Sequence, residues 1–216
     1  MYIARVHVGN YKSFRETQPL EFSPGFNIVS GQNNSGKTAL LEAIGLNFMG
    51  KPHRSIVTVP VRDSAPNQVS WIDISLVLPG SELKELVLSS LGTIQLVKPD
   101  LGSPFARSIG FVDDSQQSAQ RLVAAIFSQV QLTFRLRREV LRSGGPSWKV
   151  NDVPSYGAYP PQRSGTIFNY FTATLNQSGN VVSITNQSTP NVADIGVSLG
   201  DIFARHVYRF FAERMK

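Results

Sequence analysis

The run Gly31-Gln32-Asn33-Asn34-Ser35-Gly36-Lys37-Thr38 meets the spacing G-x-x-x-x-G-K-[ST] at every fixed position. Each fixed residue type has a physical reason. Gly31 and Gly36 let the backbone turn tightly with no Cβ in the way, so several N–H groups can converge on one anion. Lys37 brings a positive charge to β- and γ-phosphates, and the Thr38 hydroxyl stands where it can ligate Mg²⁺. A helix starting here adds its N-terminal partial charge. The candidate nucleotide-binding stretch therefore runs from Gly31 through Gln32, Asn33, Asn34, Ser35, Gly36, Lys37 and Thr38 to Ala39. The chemistry is recognition of a nucleoside triphosphate with its metal, and the expected cofactors are ATP and Mg²⁺.

Such a loop needs a strand to feed it and a helix to follow it. Phe26-Asn27-Ile28-Val29-Ser30 is an apolar, β-favouring run that predicts the strand. Leu40, Leu41, Ile44 and Phe48 at helical spacing predict a helix over 38–49, stopped by Gly50 and Pro52. Upstream, residues 2–8 read as an opening strand, Gly9-Asn10 as a turn, and Thr17 to Phe22 as a second strand marked as an edge by Pro19. Ser23-Pro24-Gly25 is the next turn.

These segments carry a resemblance. Ile3, Val6, Val8 and Asn10-Tyr11-Lys12-Ser13-Phe14, then Leu20-Glu21-Phe22 and Pro24 to Val29, then Gly31 to Ile44 resemble the N-terminus of the SMC/RecF-like ATPases. Within that group the chain is most similar to the OLD-family (overcoming lysogenization defect) ATPases, many of which carry a C-terminal Toprim nuclease. The match is dense over about the first fifth of the chain, and three segments agree in order and spacing.

The resemblance implies a mixed α/β P-loop NTPase fold: an ABC-type ATPase head lobe, with a β-rich antiparallel sheet wrapped around the P-loop strand and helix. Residues 1–50 would form the P-loop core and 51–216 a β-rich part with inserted helices, together an N-terminal lobe whose continuation lies beyond the chain. In such heads the basic residue of the Asn-Tyr-Lys-Ser-Phe segment lies beside the nucleotide, which nominates Lys12 and Ser13; a solvated lysine on a turn is the alternative for Lys12. Asn33 matches the family position facing the γ-phosphate side. The partners implied are ATP, DNA or another nucleic acid, and a second copy through the ATPase heads.

Further along, Ser55 to Val61 and Val69 to Leu78 read as strands split by the turn-rich stretch 63–67. Ser81 is expected to cap a helix through Leu91, followed by a strand over Thr93 to Val97 and a loop from Pro99 to Pro104. Phe111-Val112-Asp113-Asp114 has the outline of an apolar strand ending in acids, as in a Walker B motif. Its lead-in is short and broken by Gly110, and Ser115 to Val130 follows as an amphipathic helix, so at least one of the acids is expected at the helix N-cap.

Gln131 to Leu141 alternates, with Leu132, Phe134 and Leu136 on one face and Arg135, Arg137 and Glu139 on the other. It pairs with 147–153 across a turn, Leu141-Arg142-Ser143-Gly144-Gly145, that lacks the spacing and following helix of an ABC signature. Arg135 and Arg137 stand about 7 Å apart, near the spacing of successive phosphates, and are candidates for nucleic acid. An ordinary solvated face with Glu139 as counter-charge is the alternative. A loop over 154–165, a hairpin of 166–175 with 181–185, a helix over 194–204 and an aromatic strand over 206–212 complete the reading.

The bulk composition sets limits. With no cysteine, the chain excludes disulfides and thiolate metal sites and suits a reducing compartment. His7, His53 and His206 are isolated, with no metal-ligand spacing. No signal-peptide plan and no apolar run of membrane-spanning length lead to a cytoplasmic expectation with no membrane partner. The formal charge of +6 favours a polyanionic partner. No strand ending in Asp-Glu, no signature loop and no switch histidine is evident, so the catalytic residues are unassigned and the chain alone is expected to bind ATP while hydrolysing it poorly. Two readings of the intact protein stand side by side: an OLD-type ATPase coupled to a nuclease and serving phage defence, and a repair or chromosome-structure head acting as an ATP-gated clamp on DNA.

Overall fold

A computed structural model describes residues 1–33, 35–45, 69–141, 146–149, 163–164 and 167–187. They divide into two compact units. One holds the described residues of Ala4–Ile74 and Leu136–Lys149, the other Met1–Ile3, Ser75–Arg135 and the described residues of Val150–Ser198.

The first unit carries the described residues of the Gly31–Thr38 loop. Its strands belong to a six-stranded sheet of order β2-β1-β4-β6-β7, with β3 also on β1. Here β1 is Tyr2–Tyr11, β2 Phe14–Glu16, β3 Leu20–Glu21, β4 Val69–Leu78, β6 Leu132–Leu141 and β7 Pro146–Lys149. β2 and β3 both run antiparallel to β1, with Gly9 opposite Glu16 and Arg5 opposite Glu21. β6 and β7 form the expected antiparallel hairpin, Arg137 facing Lys149 across it. The alternation read from the sequence places β4 and β6 within a residue of their expected ends: Ser70, Ile72 and Ile74 are buried, while Trp71 and Asp73 on the other face are half-buried. Helix α1, Lys37–Ile44, buries Ala39, Leu40 and Ala43.

Three local expectations fail in this unit. The turn placed at Gly9-Asn10 lies instead at Lys12-Ser13, because β1 continues to Tyr11. Gly9 is needed for close approach: a Cβ there would lie 2.2 Å from Trp71 Cε2. The second strand shrinks to the two residues of β3. Most consequential, 26–30 forms no strand, and Phe26 and Ile28 are exposed at 104% and 91%. The Asn27 side chain accepts from the Ser23 N–H at 3.0 Å and donates to the Ser23 carbonyl at 2.8 Å. Such local side-chain bonds compete with a ladder, and β-propensity is expressed only where a neighbouring strand covers it.

The second unit contains a three-stranded antiparallel sheet of order β11-β10-β5, from β5 (Thr93–Val97), β10 (Tyr170–Leu175) and β11 (Val181–Gln187). The short strands β8 (Arg163–Ser164) and β9 (Ile167–Phe168) pair with each other. α2 (Gly80–Leu86) runs into a wide turn, Val87–Leu91, closed by the Gly92 N–H on the Val87 carbonyl at 2.8 Å. α3 (Pro104–Ile109) and α4 (Gln116–Phe127) follow, and α4 buries Leu122, Val123 and Ile126.

Here too the caps differ from expectation. α2 starts at Gly80 with no side-chain cap in place of Ser81, because the backbone passes so near α4 that a Gly80 Cβ would sit 2.3 Å from the Ile126 carbonyl. The loop expected at 99–104 ends by entering α3, capped by Ser103. Residues 111–115 form no strand, and the cap of α4 is Ser115, not an aspartate. Val130, expected in the apolar stripe, lies past the end of the helix and is 90% exposed. Residues 46–49 of the expected 38–49 helix, the 55–61 strand, the 194–204 helix, the 206–212 strand and residues 154–162 and 165 of the expected loop lie outside the described residues, while 163–164 form β8.

Candidate nucleotide-binding site

The loop ends at Gly36, the N-cap residue of α1, whose φ of +88° lies in the left-handed region that glycine adopts at little cost. With no side-chain cap and no acid in the first turn, the leading N–H groups of α1 keep their partial positive charge for an incoming anion. Buried Ala39 and Leu40 anchor the helix to the core, so the loop is held from its C-terminal side.

Lys37 curls back over its own loop. Its ammonium donates to the Gly31 carbonyl at 2.7 Å and the Gln32 carbonyl at 2.6 Å. Those are neutral acceptors, which a phosphate oxygen would outcompete through charge. Gln32, Asn33, Ser35 and Thr38 are exposed, Thr38 in the first turn of α1. Asn34 lies outside the described residues. A glycine-walled loop, a helix N-terminus, an ammonium and an exposed hydroxyl within eight residues fit a triphosphate with its metal.

The Lys12-Ser13 turn, nominated by resemblance, packs against the same loop. A Cβ at Gly36 would meet Phe14 Cζ at 2.9 Å and Ser13 Oγ at 3.2 Å. Lys12 itself is ion-paired with Glu42 of α1. Among the described residues no three His, Asp or Glu side chains gather as a metal site.

The two candidate arginines differ. Arg135 is exposed on β6. The Arg137 guanidinium forks onto Asp73, Nε to Oδ1 at 2.5 Å and Nη2 to Oδ2 at 2.7 Å, and lies 4.4 Å above the Trp71 ring. Those hydrogen bonds from Arg137 to Asp73 hold its pKa above the ordinary value, against the opposing effect of burial. Glu139, the counter-charge read from the sequence, is a looser neighbour at 3.9 Å. Asp73 was missed because nothing in the sequence says that β4 lies next to β6. The His7 and Trp71 rings stand nearly perpendicular, 4.8 Å between centroids, and His7 Nε2 lies 3.2 Å from Glu16.

Residues 5–65, which include the whole loop, match the family model described as AAA domain. The chain is similar to the DNA replication and repair protein RecF of Clostridium botulinum (strain ATCC 19397 / Type A), 44% identical over 55 residues, 26% of this chain and 15% of that protein. RecF of Acetivibrio thermocellus is 38% identical over 55 residues, again 26% and 15%. The chromosome partition protein Smc of Synechocystis sp. is 43% identical over 44 residues, 20% of this chain and 4% of that protein. The aligned stretch thus spans 15% or less of the length of these relatives. The mixed α/β architecture with antiparallel sheets and the AAA match agree with a P-loop NTPase fold of the ABC-type ATPase head kind.

Proposed function

We propose that this chain is the ATP-binding lobe of an SMC/RecF-like ATPase, which in the intact protein couples ATP binding and hydrolysis to work on DNA. The observation that carries the reading is the convergence at Gly36: the N-terminus of α1, the Lys37 ammonium, the Thr38 hydroxyl and the Lys12-Ser13 turn meet at one glycine loop. Lys37 and the leading N–H groups of α1 would hold phosphate oxygens, and Thr38 would supply a hydroxyl ligand to Mg²⁺. The bound metal would neutralise phosphate charge. Residues 1–216 would form the N-terminal lobe, and two such heads would pair in a homodimer. The likeness to RecF and Smc favours the DNA-repair or chromosome-structure reading over an OLD-type nuclease serving phage defence, for which the comparisons give no support.

The test is calorimetry of the full-length protein with ATP and Mg²⁺. Lys37→Ala should lower affinity by about 100-fold or more, since a charge-assisted contact is lost where the remaining donors are backbone dipoles. Unchanged affinity in the variant would sink the assignment.

A further inference from the structure

We propose that Glu42 is a positioning residue for this site: its ion pair with Lys12 ties the Lys12-Ser13 turn to α1 and fixes that turn as the second wall of the phosphate loop. The inference rests on the nucleotide-binding reading above and adds a residue to it.

Backbone geometry is the first support. Lys12 has φ +45°, a left-handed conformation that a long L side chain adopts only where its surroundings over-determine it. Asn10, at φ +47°, has its own explanation. Asparagine tolerates the region, its amide donates to the Val69 carbonyl at 2.9 Å, and its carbonyl accepts from the Ser70 hydroxyl at 2.5 Å. For Lys12 the partner that reaches across is Glu42.

The second support is the place of the pair. Glu42 follows Thr38 by four residues, which puts it on the same face of α1 one turn further on. Both side chains are mostly covered, at 30% and 25% exposure, so solvent screens the pair only in part. The third support is the next residue in the chain. The Ser13 hydroxyl and the Phe14 ring lie so close to Gly36 that no Cβ fits between them. A carboxylate holding Lys12 therefore also sets the distance between Ser13 and the loop. An ammonium has three donors, so Lys12 can keep Glu42 and still offer an N–H to a phosphate oxygen. The ligand class that uses both Lys12 and Ser13 is a nucleoside triphosphate.

The experiment is ATP–Mg²⁺ calorimetry and thermal melting on the full-length protein with Lys12→Ala, Glu42→Gln, the double variant, Glu42→Asp and Lys37→Ala. Each of Lys12→Ala and Glu42→Gln should weaken ATP about tenfold, and the double variant should be within about twofold of either, because both break one clamp. Glu42→Asp, which keeps the carboxylate, should stay within about threefold of wild type. Melting should be nearly unchanged throughout. Glu42→Gln with equal or tighter ATP binding, while Lys37→Ala abolishes it, overturns the positioning role and leaves the nucleotide reading intact; tighter binding would make Glu42 a competitor of phosphate for Lys12. Affinity losses that track losses in melting temperature make the pair purely structural and also overturn it. A wild-type protein that does not bind ATP overturns both readings.

Discussion

Gly9 and Gly36 are both places where a side chain would collide, yet they serve different ends. At Gly36 the collision is with Ser13 and Phe14, and the left-handed φ adds a backbone reason, so the residue shapes the candidate site. At Gly9 the obstacle is the indole of Trp71, whose ring also carries the guanidinium of Arg137 at 4.4 Å. Gly9→Ala must push the indole away and disturb that stack. The expected destabilisation is about 2–3 kcal/mol, the range for forcing an extra methyl into a packed contact plus part of a cation–π interaction. Urea unfolding at neutral pH measures it, and a midpoint equal to that of wild type would show that Trp71 yields without cost. A sequence cannot distinguish a turn glycine from a close-approach glycine, since both look like an isolated Gly in a strand pattern.

The start of α4 shows how a cap can be misassigned by a residue or two and still leave a titratable signature. Ser115 caps the helix, and Asp113 braces the cap, accepting from the Ser118 hydroxyl at 2.8 Å and the Ser115 N–H at 3.1 Å. The Ser115 and Ser118 side chains, in that order, hold the Asp113 carboxyl below its ordinary value of 3.8. A depressed carboxyl stabilises the fold fully above its unfolded value, and the contribution fades as pH falls through the lower folded value. NMR titration of the Asp113 side chain should therefore give a midpoint under 3.8, moving back toward it in Ser118→Ala; a midpoint at or above 3.8 in wild type would overturn the bracing role. The same contrast runs through the fold. β4 and β6 were legible because one buried face imposes a period of two on Ser70, Ile72 and Ile74 and on Leu132, Phe134 and Leu136. The Gly31–Thr38 stretch stands out in the sequence because a phosphate-binding loop would restrict residue types at fixed spacing. The 26–30 strand was misread because its apolar residues signal burial only if a neighbouring strand supplies it, and Asn27 satisfies the local backbone instead. The Lys12–Glu42 and Arg137–Asp73 pairs join residues 30 and 64 apart, beyond the reach of any local pattern.

Charge ties the chain to its proposed partner. A formal +6 is a sum over all ionised groups, and phosphates respond only to cations that are presented to them. Spacing alone would give Arg135 and Arg137 equal parts in tracking a DNA backbone. The fork onto Asp73 separates them. Arg137 already spends two of its donors on a carboxylate and one ring face on Trp71, so transfer to a phosphate would leave Asp73 uncompensated. Arg135, exposed on the same strand, carries the candidate contact. In the full-length protein, Arg135→Ala should weaken DNA binding for all sequences alike and reduce the salt slope of log affinity by about 1. Arg137→Ala should do the reverse, leaving the slope in place and costing about 1–2 kcal/mol of stability, a figure kept small because the pair is about one-third exposed. The two variants thus answer in different measurements, a salt titration for one and a denaturation curve for the other. A slope that falls equally in both would mean that Arg137 leaves Asp73 when DNA arrives, and that the sheet face acts as one phosphate-tracking surface after all.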